Sequence, residues 1–289
     1  RAMSARKDVT LIQIFCHPRM IREHPRLVTY YRNIAALSQK GVRYLSGIDM
    51  KRIEAQGTPE AALTEADAMT LARLFNEHIS LIIDSSSHTI TSTEVNGLLL
   101  VSTGAQIDGA WRNAIGEEAE QVVQRLLVKA ARERGILAAL VPRFGGPFEV
   151  FDPATIDKQL VDIGRFKAFM LTNQTSVVFA SEPDISLLNQ DGQTVCVIEV
   201  KGGADPAGAL ERYGAAKKSF EATRRSSPAA ITILVASCIT SQVRTRIEDD
   251  TTISTYYNLT ELLDETGNTG ALATFIRQVF ELLGASSAS

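Results

Sequence analysis

The stretch EPDISLLNQDGQTVCVIEVKGG, residues 182–203, decides how the chain is read. Two apolar runs, DISLL and TVCVIEV, flank Asp191-Gly192, a dipeptide suited to a tight hairpin turn. With those two as the central turn residues, Gln190 faces Gln193 and, counting outward, Asp184 faces Glu199. Directly opposed residues point to the same sheet face with Cβ atoms about 4.5–5.5 Å apart. Lys201 lies two residues beyond Glu199 and so shares that face. The other face carries Ile185, Leu187, Cys196, Ile198 and Val200, which is a core set. The spacing therefore predicts two carboxylates and one ammonium converging at one end of a buried sheet.

Like charges directly across a ladder destabilise it, and a divalent cation removes that penalty. Mg²⁺ is commonly held by one or two carboxylates together with waters and phosphate oxygens. Lys201 beside such an ion could orient or help deprotonate an attacking water and offset charge on a phosphate. The alternative is an ordinary salt bridge in which Lys201 neutralises one of the acids. The first reading is preferred because the cluster tips strands that are otherwise apolar on both faces.

Working outward, NAIGEEAEQVVQRLLVKAARERG (residues 113–135) reads as an amphipathic helix, with Ile115, Ala119, Val122, Val123, Leu126, Leu127 and Ala130 along one side and Gly135 ending it. GILAALVPRF and GPFEVF follow, then a polar stretch with Arg165 and Lys167, then the β-branched run TSVVFA ahead of the hairpin. Asp205-Pro206 opens a helix running through AGALERYGAAKKSFEATRR, and AITILVASCI is a buried strand. ALATFIRQVFELLG is a last helix, ahead of a Ser/Ala tail expected to fray. This order of helix, three strands, helix, strand predicts a mixed sheet covered by helices. The first third reads as helical: residues 25–45 carry Leu27, Tyr30, Tyr31, Ile34, Leu37 and Val42, and residues 65–83 carry Met69, Leu71, Leu74, Phe75 and Ile79. Between them GTPEAALTEA has helix-start character. STEVNGLLLVSTG fits a strand or a buried turn equally by periodicity.

Composition bounds the function. Of 289 residues 45% are apolar and 22% charged, the profile of a globular protein, and no run approaches the roughly 20 apolar residues of a membrane span. The leading RAMSARKD has no secretory character, and Arg1-Ala2 ahead of Met3 are set aside as an expression remnant. Cys16, Cys196 and Cys238 form no zinc spacing or disulfide framework, so a reducing cytoplasm is expected. His17, His24, His78 and His88 have no metal-ligand spacing and are read as structural or surface residues. Net charge is −3, yet residues 201–246 hold eight basic against three acidic side chains. Such a local surplus suits a polyanion, or a solvated helix face.

Pro183-Asp184 followed by Glu199-Val200-Lys201 resembles the PD-(D/E)xK signature of the restriction-endonuclease-like nuclease superfamily. The resemblance covers roughly residues 113–240 and implies an α/β fold: a mixed β-sheet core flanked by helices, with a mainly helical N-terminal extension. The corresponding division is a helical region, residues 3–110, for clamping DNA or dimerising, and a catalytic core with C-terminal recognition elements, residues 111–289. By resemblance Asp184 and Glu199 would bind Mg²⁺, the Val200 carbonyl would add a ligand, and Lys201 would assist the water. Mn²⁺ would substitute, and Ca²⁺ would bind without supporting cleavage. Members of the superfamily often add an acid from the preceding helix. The candidates here are Glu117, Glu118 and Glu120; Glu120 is preferred because it shares an edge with Val123 and Leu127, the alternative being a first-turn acid favoured by the helix dipole.

For DNA contact, Gly202-Gly203 would let a phosphate backbone approach, or simply form a loop. Lys217 falls within the buried stripe Leu210, Tyr213, Ala216 and Phe220, where it snorkels or reaches a phosphate. In SCITSQVRTRIEDD, Ser241, Gln242, Arg244 and Arg246 alternate with Val243 and Ile247, and Arg and Gln suit guanine and adenine edges. AKKSFEATRRSSP, VASCIT and the helical first third resemble type II restriction endonucleases, in particular the XcyI-type family, which would imply a GC-rich palindrome as target. The expected function is thus a Mg²⁺-dependent, site-specific endonuclease for double-stranded DNA, acting as a homodimer because palindromes impose two-fold symmetry. The alternatives are a structure-specific repair or junction nuclease of the same superfamily, and a non-catalytic DNA-binding module. The intact Asp, Glu and Lys set argues against the last.

Overall fold

A computed structural model describes residues 15–56, 63–86, 90–150, 156–264 and 270–285. RAMSARKD, His88, most of GTPEAALTEA and the end of the C-terminal tail lie outside these residues. The chain divides into two compact units, Arg1–Trp111 and Arg112–Ser289.

The first unit is helical: α1 (Pro18–Glu23), α2 (Leu27–Ile34), α3 (Gln39–Ser46), α4 (Met50–Gln56), α5 (Glu65–Ser85) and the start of α6 (Ser92–Glu133). The single stripe expected over residues 25–45 is two short helices. The chain turns at Ala36, a non-glycine residue at φ 52°, and Ser38 caps α3 by accepting from the Gly41 amide. Tyr30 and Met69, expected inside, are exposed, while Val28, Ile34, Val42, Leu71, Phe75 and Ile79 form the core. Arg32 is buried among them and paired with Glu54.

STEVNGLLLVSTG is neither strand nor turn but the first part of α6, a helix of 42 residues. Thr91-Ser92-Thr93-Glu94 carries the start signal: the Glu94 carboxylate accepts from the Thr91 amide at 2.9 Å, the reach-back half of a capping box. Gly135, at φ +67°, ends the helix as expected. Its amide and that of Ile136 bond back to the carbonyls of Arg132 and Ala131.

In the second unit the described strands form one mixed sheet in the order β2-β1-β3-β4-β5-β6-β7-β8. They are β1 (Leu137–Pro142), β2 (Glu149–Val150), β3 (Phe166–Leu171), β4 (Ser176–Phe179), β5 (Ile185–Leu188), β6 (Thr194–Lys201), β7 (Ile231–Ala236) and β8 (Thr255–Asn258). The helices are α7 (Ile156–Val161), α8 (Ala209–Ser226), α9 (Ser241–Asp249), α10 (Leu259–Leu262) and α11 (Ala271–Leu282). Pairing is antiparallel from β2 to β6 and parallel across β6-β7-β8. The polar stretch around Lys167 proves to be β3, with Lys167 exposed between buried Phe166 and Ala168. β8 adds a strand beyond the expected order. Asp205 caps a short 3₁₀ turn over Pro206–Gly208, and α8 starts only at Ala209.

One sheet face (Ile185, Leu187, Cys196, Ile198, Val200, Ile233, Val235) joins Val123, Leu127 and Val128 of α6 and Phe275, Val279 and Phe280 of α11 in one core. The opposite face (Val197, Leu234, Ala236) joins Tyr213, Ala216 and Phe220 of α8 and Val243 and Ile247 of α9. The sheet is therefore sandwiched, and the last residues of β6 emerge where α6 and α8 both come close.

A candidate active site at the end of the hairpin

The hairpin reaches its expected register by a different route. The turn is one residue longer than two: Asn189, not Gln190, faces Gln193, and its amide donates to the Gln193 carbonyl at 3.0 Å. Asn189 Oδ1 organises the loop by accepting from the amides of Asp191 (3.0 Å) and Gln193 (2.8 Å), and Gly192 takes φ +76°. That slip would displace every later pair. It is undone by a bulge at Val195, since Leu188 pairs with Thr194 but Leu187 with Cys196. Ser186 then opposes Val197 and Ile185 opposes Ile198. One residue further, the same register sets Asp184 across from Glu199.

The two carboxylates converge as the register demands, and both are buried: Asp184 is 4% exposed and Glu199 3%. Lys201 Nζ lies 3.2 Å from Asp184 Oδ2, 2.6 Å from Glu199 Oε2 and 3.1 Å from the Val200 carbonyl. The ammonium thus sits among the three oxygens that sequence reasoning named as cation ligands. Asp184 Oδ2 also accepts from the Val200 amide at 2.7 Å, which ties the carboxylate to the neighbouring strand.

Glu120 of α6 completes the electrostatics. Partial burial, then the charge of Asp184, push its carboxyl up to about 7 despite the opposing pull of Lys201. Glu118 is instead engaged by Arg125, and Glu117 is exposed beside Gln121. Burial, then Asp184, also raises Glu199. For Lys201 burial works against the charge, but Asp184 and Glu199 outweigh it, so the lysine is held more firmly protonated than usual. Burial is thus the first cause of both raised carboxyls, Glu120 and Glu199, and the charge of Asp184 adds to it against the pull of Lys201.

Gly202 has a use that sequence reasoning did not find. A Cβ there would lie 2.5 Å from Ala119 Cβ and 2.6 Å from the Ile115 carbonyl. The glycine therefore lets α6 pack onto the end of β6, next to Glu120. Gly203 lies under the Arg212 guanidinium.

Sequence reasoning also missed Ser219 of α8. It is buried and donates its hydroxyl to Glu199 Oε1. The signal was available as a polar residue on the helix face that carries Ala216 and Phe220.

The residues expected at DNA lie on α8 and α9. Lys217 pairs with Asp250 at 2.7 Å and more loosely with Glu221, not with the strand-end acids. Tyr213 donates to the same Asp250 oxygen at 2.8 Å, and burial, then that bond, raise the phenol to about 12. SQVRTRIED, to which the sequence reading assigned no element, is the helix α9. Val243 and Ile247, four apart, are its buried anchors, and Ser241, Gln242, Arg244 and Arg246 are exposed.

The set is a hard-oxygen one, two carboxylates and a carbonyl with a cation already among them, which fits Mg²⁺ in kind. Among the described residues no three His, Cys, Asp or Glu side chains form a metal cage by themselves. An ion that keeps several waters and substrate oxygens does not need one.

Comparison with known proteins places this geometry in context. The model of a family described as XcyI restriction endonuclease matches residues 5–133 and 166–286. The first matched segment contains Glu120, and the second contains Asp184, Glu199, Lys201 and Ser219. A curated relative, the type II restriction enzyme XcyI of Xanthomonas campestris pv. cyanopsidis, is 25% identical over 278 residues, 93% of this chain and 76% of that enzyme.

Proposed function

The chain belongs to the XcyI restriction endonuclease family, and from that premise we propose that Asp184, Glu199 and Lys201 are the centre of a Mg²⁺-dependent site cutting double-stranded DNA. The protein is a site-specific type II restriction endonuclease, a hydrolase of phosphodiester bonds. The observation that carries the site assignment is the seat of Lys201 Nζ among Asp184 Oδ2, Glu199 Oε2 and the Val200 carbonyl, with Glu120 close enough to be raised by their charge.

Asp184, Glu199 and the Val200 carbonyl would hold the ion, with Mn²⁺ as a substitute and Ca²⁺ as a non-productive occupant. When bound, the ion would supply Lewis-acid stabilisation of charge on the phosphate and a more acidic water. The protein's share is position and charge. Burial fixes Asp184 through the Val200 amide, and Glu120 offers a carboxyl that titrates near neutrality, suited to passing a proton. Lys201 enters as a firmly held cation, so its part is to orient a water by donation and to offset negative charge on the phosphate. Ser241, Gln242, Arg244 and Arg246 on α9 would reach the bases or backbone, and Lys217 would join them by leaving Asp250. The helical N-terminal unit would clamp DNA or pair two copies into a homodimer acting in the cytoplasm, residues 111–289 forming the catalytic core.

Digestion of a phage genome with Mg²⁺ and sequencing of the ends tests this directly. Discrete fragments sharing one end sequence, lost in Asp184→Ala, are expected. Equal cleavage by Asp184→Ala would remove the assignment. A smear, or preference for branched DNA, would favour a structure-specific nuclease.

A further inference from the structure

Ser219 stands near the middle of α8, on the face that packs against the sheet, and is 3% exposed. A buried hydroxyl is costly unless bonded, and a helical serine ordinarily satisfies itself on the carbonyl four residues back. Ser219 does not use that option. Its Oγ–H goes to Glu199 Oε1, twenty residues away and on another element. Alanine would fill the same place between Ala216 and Phe220 with no polar group to satisfy. The hydroxyl therefore has a use that packing does not explain.

The other oxygen of Glu199 shows what that use is. Oε2 takes Lys201 Nζ at 2.6 Å and faces the three-oxygen seat, while Oε1 is turned away to α8. Two donors at opposite oxygens fix the rotation of the carboxylate about its last bond. They differ in kind, because the ammonium competes with any incoming cation for Oε2 and the serine hydroxyl, neutral and on the far oxygen, does not. We propose that Ser219 is a positioning residue that holds Glu199 as a one-oxygen ligand, keeping Oε2 aimed at the divalent cation. This rests on the reading of Glu199 as a cation ligand.

The test is a Mn²⁺ titration of the full, DNA-free protein followed by electron paramagnetic resonance. Ser219→Ala should weaken Mn²⁺ binding by about 10-fold, within the range seen when a group supporting a metal ligand is removed. Ser219→Cys, close in shape but a poor donor, should behave like alanine, and Ser219→Thr should restore binding. Each variant is titrated well below its melting temperature in EDTA, so that binding is read on folded protein, and rescue by threonine but not by cysteine is the pattern a merely structural role would not give. Wild-type affinity in Ser219→Ala or Ser219→Cys overturns the proposal, whether or not the threonine variant packs. Asp184→Ala in the same titration separates the two ideas. If it too binds like wild type, the cation site itself is misplaced; if it alone loses binding, only the role of Ser219 falls.

Discussion

Each unit of the molecule buries a cluster of charge, and the two are built on opposite principles. In the helical unit Arg32, 1% exposed, meets Glu54 through two bonds, Nε to Oε1 at 2.6 Å and Nη2 to Oε2 at 3.1 Å. Its third nitrogen donates to the Leu37 carbonyl at 2.8 Å, so one cation balances one anion and the fork is filled. At the hairpin end one lysine faces Asp184 and Glu199, with Glu120 nearby, and the balance is short of positive charge. A closed pair of the first kind fastens the end of α2 to α4. An unbalanced group of the second kind costs stability, and the proposed cation site is the use that would offset that cost.

The sharpest way to break this contrast is to remove one member of each cluster. Asp184→Ala should reduce Mg²⁺-dependent cleavage by on the order of 10³-fold or more while far-ultraviolet circular dichroism stays unchanged. Lys201→Ala should lose about 10²–10³-fold in rate yet still bind DNA in Ca²⁺, measured by gel shift, because it removes charge compensation rather than a ligand. If either variant cut at the wild-type rate, the hairpin cluster would be as structural as Arg32–Glu54.

Arg32→Ala should do the reverse. Deleting Arg32 removes two donors from Glu54, leaving it only Gln39 Nε2, and takes the guanidinium from the Leu37 carbonyl, at about 3 kcal/mol. Urea unfolding should show the loss, whereas Mn²⁺ affinity at the hairpin end should be unchanged under folding conditions. A variant that unfolds normally but binds Mn²⁺ poorly would mean that the two clusters are coupled.

The difference also explains what could be read from sequence. Asp184, Glu199 and Lys201 were legible because a period-two pattern on either side of a turn fixes which residues share a face. The register survived an error in the turn, since the bulge at Val195 repairs the slip that Asn189 introduces. No sequence rule would have found that pair of compensating irregularities. Arg32 was hidden because it sits where helical periodicity asks for an apolar residue, and its partner Glu54 lies on a separate helix. β3 and α9 were left unassigned for a shared reason: charged residues within each (Lys167, Arg244) interrupt the apolar pattern, while Phe166 and Ala168 or Val243 and Ile247 carry the packing. Ser219 was passed over because a small polar residue on a buried helix face gives no sign of its partner.

Glu120 offers the smallest effect and the finest test of imbalance. Its carboxyl stands at about 7 against an ordinary 4.5, so in the metal-free protein the folded state keeps a proton that the unfolded chain releases. Stability must then fall as pH rises from about 4.5 toward 7, the folded state binding more protons throughout that window. Glu120→Gln removes the titrating group and should flatten this slope. The side chain is only half-buried, so solvent screening leaves about 1 kcal/mol of the full shift, roughly 2–4 °C in melting temperature. In EDTA the glutamine variant should match the wild type at pH 4.5 and melt higher at pH 8. Mg²⁺ should recover part of that difference for the wild type by supplying the missing positive charge. Equal melting curves at pH 8 would mean that Glu120 lies outside the cluster's field, and that the deficit at the hairpin end belongs to Asp184 and Glu199 alone.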